Sequence, residues 1–225
     1  MSLKKHFRAL AAAFAFLIMS GCATKAPPFD YTAYKENHPR SILVLPPLNN
    51  TPEVQASYSV LSHATRPLAE AGYYVMPVTL VAEAFKENGM TQPSDMHATS
   101  ADKLQKIFGA DAALYITITK YGTVYRVINS ETLVTAEAKL VDLKTGKLLW
   151  TGVASASSEE QQSQQHGGLA GLLITAIVNQ VIASTLDQSH QIAKNSTTRL
   201  LSAGLYNGVL YGPRSPNFGK DGKID

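Results

Sequence analysis

The order of apolar segments predicts a mixed α/β (α+β) domain: a mixed sheet with helices packed on it, closing with an antiparallel hairpin and a long C-terminal helix. Three observations lead there. Ser41–Leu48 is an almost unbroken apolar run, as in a strand buried on both faces. Residues 54–108 then show helical spacing interrupted by one short apolar run. Residues 112–156 change to strict alternation, which marks half-buried antiparallel strands.

In chain order, the paired prolines Pro46-Pro47 stop the first strand, and Asn49-Asn50-Thr51-Pro52 reads as a turn. A helix over 54–71 follows, with Val60, Leu61, Ala64, Leu68 and Ala71 on one side and Pro67 as a kink or break. Residues 73–77 form a second short strand. Thr79 is placed to cap a helix over 80–88 that Gly89 ends, and Ser100 to cap a short helix that Gly109 ends. Over 112–121, Leu114, Ile116 and Ile118 face inward. Over 132–141, Val134, Ala136, Ala138 and Leu140 do the same. Asp142-Leu-Lys-Thr-Gly-Lys147 is a hairpin turn whose Gly146 can take φ > 0. Leu148, Trp150, Gly152, Ala154 and Ala156 line one face of the returning strand.

After a Gln-rich stretch, 169–192 reads as one long helix, with a second short helix around 197–205 and a flexible tail over 211–225. Residues 169–186 carry no charge, and three placements stay open for them: the core, an interface and a membrane. Thr175, Asn179, Gln180, Ser184 and Thr185 argue against lipid. The candidate interface residues are Leu169, Leu172, Leu173, Ile177 and Val181.

Residues 1–21 read as an export signal. Lys4, Lys5 and Arg8 precede the uncharged run 9–19, which is too short to span a bilayer. Met19-Ser-Gly-Cys22 resembles the lipobox of bacterial lipoproteins. That resemblance implies cleavage between Gly21 and Cys22 and lipid attachment at Cys22, the chain's one cysteine. Each buried lipid methylene contributes about 0.8 kcal/mol, so more than one acyl chain anchors firmly. Ala23, where lipoproteins retained in the inner membrane usually carry Asp, implies outer-membrane sorting. Residues 22–40, with three prolines and no apolar period, read as a tether, leaving 41–210 as a single domain facing the periplasm.

Composition narrows the function. The chain has 225 residues and a net charge of +3, but without residues 1–21 its 17 bases balance 17 acids. Nucleic acid is an unsuitable partner for such a chain. One cysteine excludes an internal disulfide and a cysteine-based zinc site. His38, His63, His97, His166 and His190 show no metal-ligand spacing, so no metal and no cofactor is expected. There is no Gly-x-Ser-x-Gly, and the adjacent Glu159 and Glu160 read as a solvated turn. No catalytic residue is assigned, and the chain is read as a non-enzyme.

Val141–Trp150 resembles the hairpin of quinone-cofactor β-propeller blades, but it occurs once and a propeller needs repeats. The same hairpin, after a strand such as Ser41–Leu48 with its Asn-rich turn, resembles the α/β domains of TolB (amino-terminal), the curli secretion lipoprotein CsgG and the synthase activator LpoB. Over 22 to about 210 the chain resembles a family of outer-membrane lipoproteins of unknown function found beside CsgG-like genes. The resemblance implies an accessory or assembly factor for an envelope complex, such as a CsgG-like secretion channel. Its partners would be the membrane, through Cys22, and an envelope protein or further copies of itself. The alternatives are an LpoB-like activator of a peptidoglycan synthase, an envelope enzyme with an unrecognised site, and a self-assembling ring.

Overall fold

The computed structural model describes residues 27–125, 130–160 and 188–222. Among them the chain runs α1 (Thr32–Asn37), β1 (Ser41–Val44), β2 (Leu48–Asn49), α2 (Ala56–Glu70), β3 (Tyr74–Val75), α3 (Val78–Glu87), α4 (Pro93–His97), α5 (Ala101–Phe108), β4 (Ala112–Tyr125), β5 (Ser130–Asp142), β6 (Leu148–Ser157) and α6 (Gln188–Leu201). The strands form one mixed sheet of order β3-β1-β4-β5-β6, with β2 also on β4. β1 runs parallel to β3 and β4, and β4-β5-β6 is an antiparallel meander.

The apolar run of β1 has a cause on each face. Ile42 and Val44 enter a core shared with α1, α2 and α6, while Leu43 and Leu45 enter a second core beneath α3, α4 and α5. All four are fully buried. The prolines interrupt the strand without ending it, because Leu48 and Asn49 resume parallel pairing with Thr117 and Ile118 of β4. Pro67 stays within α2, which continues to Glu70.

Bulges alter the alternation at two places. A register shift between Ile118 and Lys120 turns Tyr121 inward after Leu114, Ile116 and Ile118. A second, between Leu140 and Val141, leaves Leu149 without a partner on β5. Leu149 is therefore buried, while Leu148, expected on the inner face, is 49% exposed. Thr79 does not cap a helix, since α3 starts at Val78 after Pro77.

The expected tether and tail are corrected by packing. Tyr31 and Tyr34 of the 22–40 segment are buried. The Tyr31 hydroxyl donates to the Gly208 carbonyl (2.6 Å), and Tyr34 reaches the hydroxyl of Tyr73 (2.8 Å). Residues 211–222 are likewise seated: Gly212 N–H donates to Ala71 O, Arg214 N–H to Gly72 O and Tyr211 N–H to Asp221 Oδ2. Prolines and glycines there shape a packed coil, which composition alone reads as loose.

α6 is one helix through Leu201, where the sequence suggested a break after Ile192. Ile192, Ala193, Ser196, Thr197, Leu200 and Leu201 form its buried stripe. Ser196 belongs inside because its hydroxyl donates to the Ala154 carbonyl of β6 (3.1 Å). Residues 169–186, including Leu169, Leu172, Leu173, Ile177 and Val181, lie outside the described residues, as do Gly21 and Cys22. Among the described residues no helix is long and apolar enough to cross a membrane.

Candidate functional site

A polar groove of about 770 Å³ lies between α2 and α6 at the end of β6. Both helices expose a polar edge there because their apolar stripes are spent on the sheet: Val60, Ala64 and Leu68 from α2, Ile192, Ala193 and Leu200 from α6. What remains on the groove side is His63, Arg66 and Glu70 from α2, facing Gln191, Lys194 and Arg199 from α6.

Beside the groove the fold sets the His63 and His190 rings against each other, with centroids 4.4 Å apart and planes tilted by 43°. Ser59 Oγ and His190 Nδ1 lie 2.8 Å apart, from positions 131 residues distant in sequence. Burial lowers the His63 pKa from the ordinary histidine value, and the neighbouring His190 and Lys194 add to this. Ser59 sits within a helix and is only 6% exposed. It thus ties α2 to α6 rather than presenting a nucleophile to the groove. Arg66 pairs with Glu70 (2.8 Å) and Arg199 with Glu160 (2.5 Å) across an exposed rim. Such rim pairs contribute about 0–1 kcal/mol each. Glu160, expected in a solvated turn, is one of these partners.

On the other side of the sheet, His97 Nε2 donates to the Pro46 carbonyl (2.9 Å) and its ring meets Tyr115 edge-on at 5.2 Å. Burial lowers this imidazole too, against the opposing effect of the Pro46 contact. Lys139 Nζ lies 4.8 Å from the centre of the same tyrosine ring. Tyr115, Tyr121, His63, His97 and His190 are therefore parts of the core and its margin. Sequence spacing could not bring His63 and His190 together, because the pairing depends on how α6 packs against α2. Among the described residues no group of three His, Cys, Asp or Glu side chains could hold a metal ion.

The family model described as "Putative lipoprotein GNA1162-like" matches residues 29–214. The chain belongs to the GNA1162-like lipoprotein family. A curated relative, "Putative lipoprotein NMB1124/NMB1162" of Neisseria meningitidis serogroup B, is 49% identical over 201 residues, covering 89% of this chain and 93% of the relative. The crystal structure of lipoprotein GNA1162 from Neisseria meningitidis aligns at 49% identity with a TM-score of 0.51, covering 64% of this chain and 99% of that one. The LpoB C-terminal domain from Escherichia coli aligns over 52% of this chain and 83% of its own at 18% identity, with a TM-score of 0.36. The GNA1162-like family name describes a lipoprotein and names no enzymatic activity.

Proposed function

We propose that this GNA1162-like protein is a lipoprotein of the outer membrane, anchored through Cys22, whose α/β domain faces the periplasm and docks a protein of an envelope complex without catalysing a reaction. The observation that carries the docking half is an open apolar step at the start of α2. Val54 and Tyr58 stand four residues apart and are 81% and 74% exposed. Large apolar groups left in water at neighbouring positions favour a protein partner. Family membership supports the anchor, and Ala23 after Cys22 supports the outer membrane as its destination.

A photo-crosslinking residue at position 58 of the lipidated chain tests the reading. Illumination of intact cells should yield a discrete adduct with an envelope protein, a CsgG-like channel or a peptidoglycan synthase being the two partners to examine first. The adduct should disappear in Val54→Ser, and Cys22→Ser should release the protein from the membrane fraction. A chain that forms no adduct at position 58, or whose purified form turns over an envelope substrate, would overturn the proposal.

A further inference from the structure

A second cavity, about 340 Å³, lies where the two ends of the described domain meet, between α1 and the coil 210–221. Its wall holds the side chains of Tyr34, Tyr73, Tyr211 and Phe218, with Asp221 beside them. Its size and largely aromatic lining with few polar groups are those of a small-ligand site.

Hydrogen-bond bookkeeping decides what chemistry it accepts. The Tyr73 hydroxyl donates to the Leu210 carbonyl at 2.6 Å. The 2.8 Å contact between the Tyr34 and Tyr73 hydroxyls must then use the Tyr34 hydrogen. Both phenols have committed their only hydrogens, and lone pairs are what they retain. Asp221 accepts the Tyr211 N–H through Oδ2 (2.7 Å) and, as a carboxylate, is acceptor-only. The Tyr211 hydroxyl lies against Gly204, which is not part of this wall. The other side-chain donors, Lys35 and His38, are both exposed, and the Lys35 ammonium already donates to the Gly222 carbonyl. The interior therefore offers aromatic rings, lone pairs and a negative charge.

That combination suits one class of ligand. We propose that this cavity binds an organic ammonium group, seated among Tyr34, Tyr73, Tyr211 and Phe218 with Asp221 as its counter-charge. The rings supply the cation–π attraction and the carboxylate supplies the charge. The Asp221 charge is felt within the site. Burial is the first cause that raises the Tyr34 and Tyr73 phenol pKa values, and Asp221 adds to it in both. The Tyr211 N–H holds the carboxylate in place, and the backbone is closely packed at the next residue. Gly222 has φ +64°, and a Cβ there would stand 2.7 Å from Leu210 Cδ2.

Either a free amine or a lysine side chain of a partner carries this group. The test uses full-length protein in detergent with ¹³C-labelled tyrosine rings, titrated with tetramethylammonium, n-butylammonium, an acetyl-lysine-amide peptide and the neutral tert-butanol. Saturable shifts of the Tyr34 and Tyr73 signals are expected at millimolar cation and not with tert-butanol. Asp221→Asn, which keeps an acceptor for Tyr211, should weaken cation binding about tenfold, the scale of one charge-assisted contact. Phe218→Leu, at a position 42% exposed and so harmless to folding, should also weaken it. Tighter binding of the peptide than of n-butylammonium would identify a partner side chain as the source, and the reverse order a free amine. Equal responses to tert-butanol and tetramethylammonium, or no saturable shift into the tens of millimolar, would overturn the proposal.

Discussion

Trp150 lies across Gly152 on the inner face of β6. A Cβ at 152 would stand 2.2 Å from Trp150 Cζ2, and the indole N–H donates to the Asn207 carbonyl at 2.8 Å. The glycine is thus the floor on which the only tryptophan of the chain rests, two residues along the same strand face. Gly152→Ala should destabilise the domain by about 1–3 kcal/mol through overpacking. Trp150→Phe should cost about 1–3 kcal/mol for the orphaned Asn207 carbonyl and lost contacts. Combining the two should cost less than the sum, because Phe relieves the clash. Denaturant midpoints of the three variants check this.

Asp142 holds the β5–β6 hairpin from inside. Buried at 3% exposure, its Oδ1 accepts Thr145 N–H (2.7 Å), Thr145 Oγ–H (2.7 Å) and Lys144 N–H (3.1 Å). Asp142→Ala leaves three donors unmatched and should lower stability by about 1–3 kcal/mol, with Asp142→Asn milder because it retains an acceptor oxygen. Gly146→Val, at φ +71°, should cost about 1–2 kcal/mol on its own. Urea unfolding monitored by Trp150 fluorescence reads all three.

The amino-terminal segment should behave as part of the domain. Tyr34 is 3% exposed and shares a hydrogen-bond chain with Tyr73 and Leu210. Tyr34→Ala should cost about 3–5 kcal/mol, the scale of a buried aromatic removed. Tyr34→Phe should cost roughly 1 kcal/mol, the value of one hydrogen bond. A tether would show no effect from either, and thermal melting distinguishes the cases.

Acid should weaken the fold through two histidines. Burial holds both His63 and His97 below the ordinary 6.5. The unfolded chain then binds protons more readily than the folded one, so stability falls as pH drops through 6.5 toward the folded-state values and changes little above it. The groups facing His63 are His190 and Lys194 of α6 and Arg66 and Glu70 of its own helix, and Lys139 stands near His97. The double variant His63→Phe, His97→Phe should flatten the melting temperature between pH 7.5 and 5.5. An unchanged slope would place the acid response elsewhere.

Particular residues show how far the sequence could be read. The run through Ile42–Leu45 announced a strand buried on both faces, and it is one, because each successive side chain enters a different core. The Asp142–Lys147 turn was legible because Asp, Thr and Gly each act within six residues. Leu148 and Tyr121 were not, since a bulge changes the face of every residue beyond it and depends on the partner strand. Tyr31, Tyr34 and Asp221 were not, since prolines and glycines nearby mimic loose chain while long-range contacts hold it.

By itself the sequence determined the class of fold, the order of its longer strands and helices, and the neutral balance of charge, because periodicity, turn chemistry and composition are local properties. Only the tertiary structure decided that the two ends of the domain close on one aromatic cavity, and that His190 of one helix meets His63 and Ser59 of another. Those relations join residues far apart in the chain. They exist only because the helices bury their apolar stripes on one sheet and bring their remaining polar edges face to face.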